Sequence, residues 1–333
     1  MEQTWGHRSF ATAPPGGMHV STPKSRTAWA DGLASIAADT GEVLEVFFAD
    51  PNLGETPTTV PSANTQAIRV DERRGVEVRA QRVVIADLAA PPADAADAYL
   101  RLHLLSHRLV QPNTISLAGL FGVLNTVAWT NLGPVPLGRL DHLRHRCRED
   151  GTVLSVEAID KFPKMSDYVI PSGVRIADAR RVRLGAYLAS GTVVMHEGFV
   201  NFNAGTLGAA MIEGRVSQGV VLGNGTDIGG GASVMGTLSG GGTEVIRIGN
   251  NCLLGANAGL GISLGDECIV EAGLYLTAGA IVTLPDGSTC KARDLSGRAR
   301  LLFRRNSLRG NIEVLARGDE WASGLNAALH DQT

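Results

Sequence analysis

Three glutamates in the middle of this 333-residue chain sit where a carboxylate can do chemistry: Glu197 in MHEGF, Glu213 in MIEGR and Glu271 in VEAGLY. Glu213 is the best placed. Arg215 follows two residues later, so a base or nucleophile would stand beside a cation able to hold an anion. A solvated surface Glu–Arg pair is the plain alternative. Further on, Lys291, Arg293, Arg298, Arg300, Arg304, Arg305 and Arg309 crowd into 19 residues. That cluster suits a polyanion, above all phosphate groups, unless it is simply a solvated basic segment. Histidine offers less. Of the eight histidines only His196 lies among these glutamates, and a structural role fits it better than that of a base. His103 and His107 have the four-residue spacing of a metal pair. No HExxH pattern or third ligand accompanies them, so packing or surface exposure is expected.

The elements that must position these groups are written in the glycines. The chain has 41, and 25 of them fall between residues 165 and 287. Written in sixes from Ile170, the first positions are Ile170, Ile176, Val182, Leu188, Val194, Val200, Thr206 and Ile212. After a four-residue slip at 218–221 the period resumes at Leu222, Ile228 and Val234. After an eight-residue excursion at 240–247 it resumes at Ile248 and Leu254, and after a second slip at 260–263 at Leu264, Val270, Leu276 and Val282. These 17 hexads, many with Gly or Ala directly after the aliphatic, predict a left-handed parallel β-helix. Each short strand points one aliphatic inward, a small residue fills the corner, and glycine serves where φ turns positive. Three hexads close a triangular coil, so five to six coils are expected. A glycine-rich sandwich would need the spacing to be coincidence. The breaks in period are expected as side loops that carry function, or as plain connectors. Glu213 takes the second position of its hexad, so its carboxylate is expected to point outward.

The rest divides around that solenoid, which is read over residues 165–288. Residues 1–27 read as a polar leader outside the fold. Residues 28–164 read as an N-terminal α/β domain with a helical linker. It has strands at 41–48 and 75–88, a helix at 94–110 with Asp94 as N-cap, a second apolar helix at 117–129, and a strand at 153–159. Residues 289–333 are a short basic C-terminal segment and tail. Composition narrows the function. With 44% hydrophobic and 19% charged residues and a net charge of −3, the chain buries a core and is neither a basic nucleic-acid platform nor a polybasic membrane binder. No run of about 18 apolar residues is present. The four cysteines are scattered without a CxxC pair, which predicts reduced, mostly buried thiols in a cytoplasmic protein. Glycines recur so often that a GxGxxG match carries no weight.

Hexapeptide solenoids of this hand mostly carry acyl transfer from coenzyme A or an acyl carrier, an argument from fold alone. The residues add to it. The block running from MHEGFVNFNAGTLGAAMIEGR to GLYLTAG closely resembles the tetrahydrodipicolinate N-succinyltransferase family, of the actinobacterial type. So do DAYLRLHLLSHRLV, DKFPKMSDYVIPSGVRIAD and LLFRRNS, and the resemblance spans residues 30–317. It implies a homotrimer of left-handed β-helices with active sites between subunits. The implied reaction moves succinyl from succinyl-CoA to the amine that tetrahydrodipicolinate presents once water opens its ring to 2-amino-6-oxopimelate, giving N-succinyl-2-amino-6-oxopimelate on the route to diaminopimelate and lysine.

The resemblance also implies that Glu213 is the catalytic glutamate, described in the family as forming an acyl-anhydride. It implies that Arg215, Gly230, Ser233, Ala256, Glu271, Ala272, Gly279, Lys291, Arg304, Arg305, Asn306 and Ser307 contact CoA or the succinyl group. Backbone N–H groups around residues 229–231 or Gly255 are expected to hold the developing oxyanion. Members can bind Mg²⁺ on the trimer axis through an aspartate and a glutamate. The glutamate falls on Glu197, but Arg180 stands at the aspartate position, and an arginine cannot ligate the ion. The expected partners are small molecules and further copies of the chain, with no nucleic acid and no membrane. Acyl transfer to another amine or to a sugar is the enzymatic alternative. A solenoid without catalysis is the other, and the joint presence of Glu213, Lys291, Arg304 and Arg305 argues against it.

Overall fold

The computed structural model describes residues 21–56 and 67–317. Most of the expected leader and the tail beyond residue 317 lie outside the described residues.

Short parallel strands stack into three faces of a parallel β-helix. The first face holds Tyr187–Leu188, Gly205–Thr206, Val221–Leu222 and Arg247–Ile248. The second holds Arg175–Ile176, Thr192–Val194, Ala210–Ile212, Thr226–Ile228, Leu253–Leu254 and Ile269–Val270. The third holds Phe199–Val200, Arg215–Val216, Ser233–Val234, Gly259–Leu260 and Tyr275–Leu276. The register puts each inward aliphatic above its equivalent one coil away, as with Val194, Ile212 and Ile228. The result is one continuous buried core, and each such side chain contributes about 1.5–3 kcal/mol. Thr206 is the polar exception among the first positions. It is fully buried, and its hydroxyl is satisfied at 2.7 Å by that of Thr192.

The breaks in the period are resolved differently from the sequence reading. The first slip, expected as a loop at 218–221, is a tightened corner at 213–215. Ile212 and Val216 are both fully buried, so the inward positions there are four apart instead of six. From Val216 the six-residue spacing runs on to Leu222. A two-residue contraction looks the same in sequence on either side of one hexad, and only the inward direction of Val216 locates it. The second slip behaves alike, with Leu260 and Leu264 both buried. The eight-residue excursion is a true side loop, closed by a Thr237–Val245 antiparallel bridge with Gly240 and Gly241 at positive φ.

The N-terminal part, expected as α/β, is an antiparallel sheet. Its long strand Ala28–Ala37 lies between Val43–Phe47 and Val76–Ile85. Helix α1 (Ala95–Ser106) packs against the sheet, and the Asp94 side chain accepts the Asp97 N–H as its cap. The apolar helix expected at 117–129 is only one turn, α2 (Leu120–Val123). The following Val127–Thr130 is instead a strand between Gly133–Pro136 and Val156–Asp160. Gly119 at φ +76° and Gly122 weaken helix there, and the β-prone VAWT segment pairs with partners distant in sequence. α3 (Leu140–Glu149) has no counterpart in the sequence reading, since half of its ten residues are charged and only Leu140, Leu143 and Cys147 are buried. At the other end, Leu301–Arg305 pairs parallel with Ile269–Val270 and antiparallel with Ile312–Ala316. The last coil's sheet edge is thereby covered.

Candidate active site

Every coil leaves the second face and enters the third at one edge. Glu197, Glu213, Gly230, Ala256, Glu271 and Ala272 all lie on it, within three residues of the inward Val194, Ile212, Ile228, Leu254 and Val270. Arg304 joins them, because Phe303 is the register partner of Val270. The Arg305 N–H donates to Glu271 Oε2 at 2.6 Å. Residues up to about a hundred apart in sequence thus form a ladder with rungs about 4.8 Å apart.

The rung carrying Glu213 is the contracted one. Its turn is pinned on both sides: Glu213 N–H donates to Ile228 O at 2.8 Å and Arg215 N–H to Ala232 O at 2.7 Å. A Cβ on Gly214 would stand 2.4 Å from Ala232 O and 2.8 Å from Gly229 O, so no other residue fits there without moving a coil. Glu213 is half-buried, and its side chain reaches over the next coil. A Cβ added at Gly230 would meet only Glu213 Oε2, at 3.6 Å. Gly230 therefore leaves the carboxylate open to a ligand along the edge.

Arg215 rises from the third face beside this corner. Its Nε and Nη2 donate to Ser233 Oγ at 3.1 and 2.8 Å. Ser233 fixes one side of the guanidinium and leaves the other for an anion. The oxyanion donors can be narrowed. Gly229 N–H and Gly255 N–H are spent on Leu254 O and Val270 O, each at 2.8 Å. Among the described residues the N–H groups of Gly230 and Gly231 have no backbone acceptor.

Other expected contacts stand apart. Gly279 lies after Leu276, at the edge that follows the third face. Lys291 ends the strand Thr289–Lys291 nearby, paired with Ile281, and Arg293 N–H and Ala292 N–H bond to Ala278 O and Ala280 O on either side of Gly279. Asn306 and Ser307 lie in the turn after Leu301–Arg305. Asn306 organises that turn, accepting from Leu308 and Arg309 N–H and donating to Glu313 at 3.0 Å. The basic cluster is also partly neutralised, since Arg304 pairs with Glu313 at 2.7 Å.

The Glu197 carboxylate is 3.1 Å from the Arg181 guanidinium, and Arg180, at the expected aspartate position, pairs with Asp178 at 3.2 Å and supplies no oxygen for a divalent cation. Among the described residues no group of three or more His, Cys, Asp or Glu side chains could hold a metal. His103 is fully buried, with Nε2 accepting from Phe48 N–H at 3.3 Å and Nδ1 bonded to Tyr99 O at 2.8 Å. Burial pushes its pKa down to about 3, so it is a neutral packing residue. His196 is exposed. The four cysteines are free thiols, three of them buried.

One feature near the site had no sequence signal. A cleft of about 190 Å³ opens above Phe199, one coil from Arg215. Arg183 lines it, bonded to Asp160 at 2.6 Å and stacked on Phe162 and Phe199. Lys164 also lines it, paired with Glu157. Its walls come from segments that are adjacent only after the coils stack.

Known proteins resemble this chain over most of its length. Residues 124–164 match a family model described as tetrahydrodipicolinate N-succinyltransferase middle, and residues 245–278 match one described as hexapeptide repeat of succinyl-transferase. A 2,3,4,5-tetrahydropyridine-2,6-dicarboxylate N-succinyltransferase of Pseudomonas aeruginosa is 58% identical, covering 86% of this chain and 93% of that one. Enzymes of the same name from Pseudomonas putida and Vibrio cholerae are 50% and 48% identical, covering 87% and 90% of this chain and 94% and 97% of theirs. A crystal structure from Campylobacter jejuni, described as a putative 2,3,4,5-tetrahydropyridine-2-carboxylate N-succinyltransferase, superimposes with a TM-score of 0.77 at 29% identity. It covers 88% of this chain and 93% of that one.

Proposed function

Because this chain belongs to the tetrahydrodipicolinate N-succinyltransferase family, we propose that its succinyl transfer turns on the Glu213 carboxylate. The chain is an N-succinyltransferase of diaminopimelate and lysine biosynthesis. It acts on 2,3,4,5-tetrahydropyridine-2,6-dicarboxylate, with succinyl-CoA as the implied donor. The observation that carries the role of Glu213 is the contracted corner: the turn places a carboxylate over a bare glycine, at the head of an edge lined by Gly230, Ala256 and Ala272.

The donor runs along that edge, its thioester beside Glu213 and its phosphates toward Arg304 and Arg305. Arg215 takes the free carboxylate of the succinyl group, and Gly230 and Gly231 N–H stabilise the oxyanion. Two routes use the same carboxylate. The cyclic imine first adds water and opens to the free amine of 2-amino-6-oxopimelate; as a base, Glu213 then takes the proton of that amine as it attacks the thioester carbonyl, and the C–S bond breaks to release CoA. As a nucleophile, a Glu213 oxygen attacks the carbonyl first, CoA leaves as thiolate, and the amine then opens the anhydride and restores the carboxylate. The edge is open on one side in a single chain, which supports the homotrimer in which a second copy covers it. The six-residue repeat supports a left-handed coil, and the free, buried thiols suit the cytoplasm.

Thiol release measured with succinyl-CoA and tetrahydrodipicolinate, beside Glu213→Ala, tests this reading. Release that needs both substrates and is lost in the variant supports it. Equal turnover by the variant removes Glu213 from the mechanism, and a labelled succinyl group trapped on Glu213 identifies the nucleophilic route.

A further inference from the structure

Arg215, Ser233, Gly259 and Tyr275 are successive register partners on the outward side of the third face. Tyr275 breaks the pattern of that file. It is 52% exposed, yet its ring does not simply rise into solvent. It lies across the neighbouring coil, in the space a side chain at Gly259 would take. A Cβ on Gly259 would stand 2.2 Å from Cδ2 and Cε2 of the ring and 2.5 Å from Cζ. The ring is thus held against backbone on one side and bare on the other. Tyr275 sits three residues from Ala272 and two coils below Ser233, with Gly259 between them.

We propose that Tyr275 is a donor-contact residue whose ring forms the wall against which the pantetheine arm of succinyl-CoA packs. The inference rests on the reading that the donor runs along the Glu213 edge. An arm descending from the thioester beside Glu213 passes Ala256 and Ala272 before it reaches Arg304, and Tyr275 flanks that path. Gly259 is the second half of the device, because any side chain there would displace the ring. Packing, and not the phenol hydroxyl, supplies the contact, since methylenes and amides lie well on an aromatic face.

Calorimetric titration of CoA and steady-state kinetics test this on the full-length protein. Tyr275→Ala is expected to weaken CoA binding and raise the succinyl-CoA KM about tenfold, with the tetrahydrodipicolinate KM within about twofold of the parent. Tyr275→Phe is expected to bind as the parent does. Gly259→Ala is expected to reproduce the donor defect with the tyrosine intact. CoA binding unchanged in Tyr275→Ala would overturn the proposal, as would a loss in Tyr275→Phe as large as in Tyr275→Ala. A sedimentation mass that falls to a smaller assembly in Tyr275→Ala would also overturn it, because the ring would then be a contact between copies. Ala256→Leu separates the two layers of the argument. If it also leaves CoA binding untouched, the donor does not use this edge. If it weakens binding while Tyr275→Ala does not, only the role of Tyr275 falls.

Discussion

The Glu213 carboxylate and the backbone of Gly230 share one small space, since Oε2 lies 3.6 Å from where a methyl at 230 would stand. That closeness makes the pair testable. Glu213→Gln keeps the size and hydrogen-bonding reach of the side chain but cannot accept the amine proton or form an anhydride. It is expected to fold and assemble normally while kcat falls by at least about 10²-fold in the thiol-release assay. Near-parental turnover would exclude both routes. Arg215 is a second case. Ser233 holds two of its nitrogens, a forked geometry lysine cannot copy. Arg215→Lys is therefore expected to raise the succinyl-CoA KM by about tenfold, and an unchanged KM would show that this guanidinium does not meet the donor.

At the scale of elements, the contracted corner and the buried carboxyl of the N-terminal sheet make separate predictions. Gly214→Ala drives a methyl to 2.4 Å from Ala232 O. The backbone of two coils must part, at a cost of about 1–3 kcal/mol. Thermal unfolding of the variant is expected several degrees lower, with activity lost in step as the corner moves. An unchanged Tm would show that the coil yields freely. Glu45 tethers this sheet to the start of the solenoid, with Ser35 and Tyr168 hydroxyls donating to its carboxylate. Burial raises its pKa above the ordinary 4.5, and those two hydrogen bonds only partly oppose the rise. The folded state therefore holds this proton more tightly than the unfolded chain does. Its contribution is full below the unfolded value and is lost as pH rises through the raised folded value. Glu45→Gln stays neutral at every pH. Relative to the parent, its Tm is expected to rise as the buffer goes from pH 4 to pH 7, and a constant difference would show that folding leaves the Glu45 pKa unshifted.

At the scale of the whole molecule, the edge that gathers the site is open on one side, and the predicted assembly covers it. Sedimentation of active enzyme is expected to give three times the 34.9 kDa chain mass. A fully active single chain would exclude a site shared between copies. Much of the plan was legible in the sequence. Sixteen aliphatic residues among seventeen positions in sixes announced the solenoid because each coil repeats the same burial requirement, and local periodicity survives in a linear string. Glu213 and Arg215 stood out by type and spacing for the same reason. Other features left no such trace. The place of the contraction depended on whether Val216 or Gln218 points inward. The strand at Val127–Thr130 depended on partners at Gly133–Pro136 and Val156–Asp160, which outweighed its apolar, helix-like run. The file from Arg215 to Tyr275, and the passage of a ring over Gly259, exist only after coils of 16, 18 and 26 residues are stacked in register. The repeat, the residue types available along the edge and the family were thus readable from the chain alone, because these depend on residue type and local spacing. Only the tertiary structure decided which side chains meet along the edge, because lateral neighbours in a solenoid are set by coil length and register, and each break in the period shifts them.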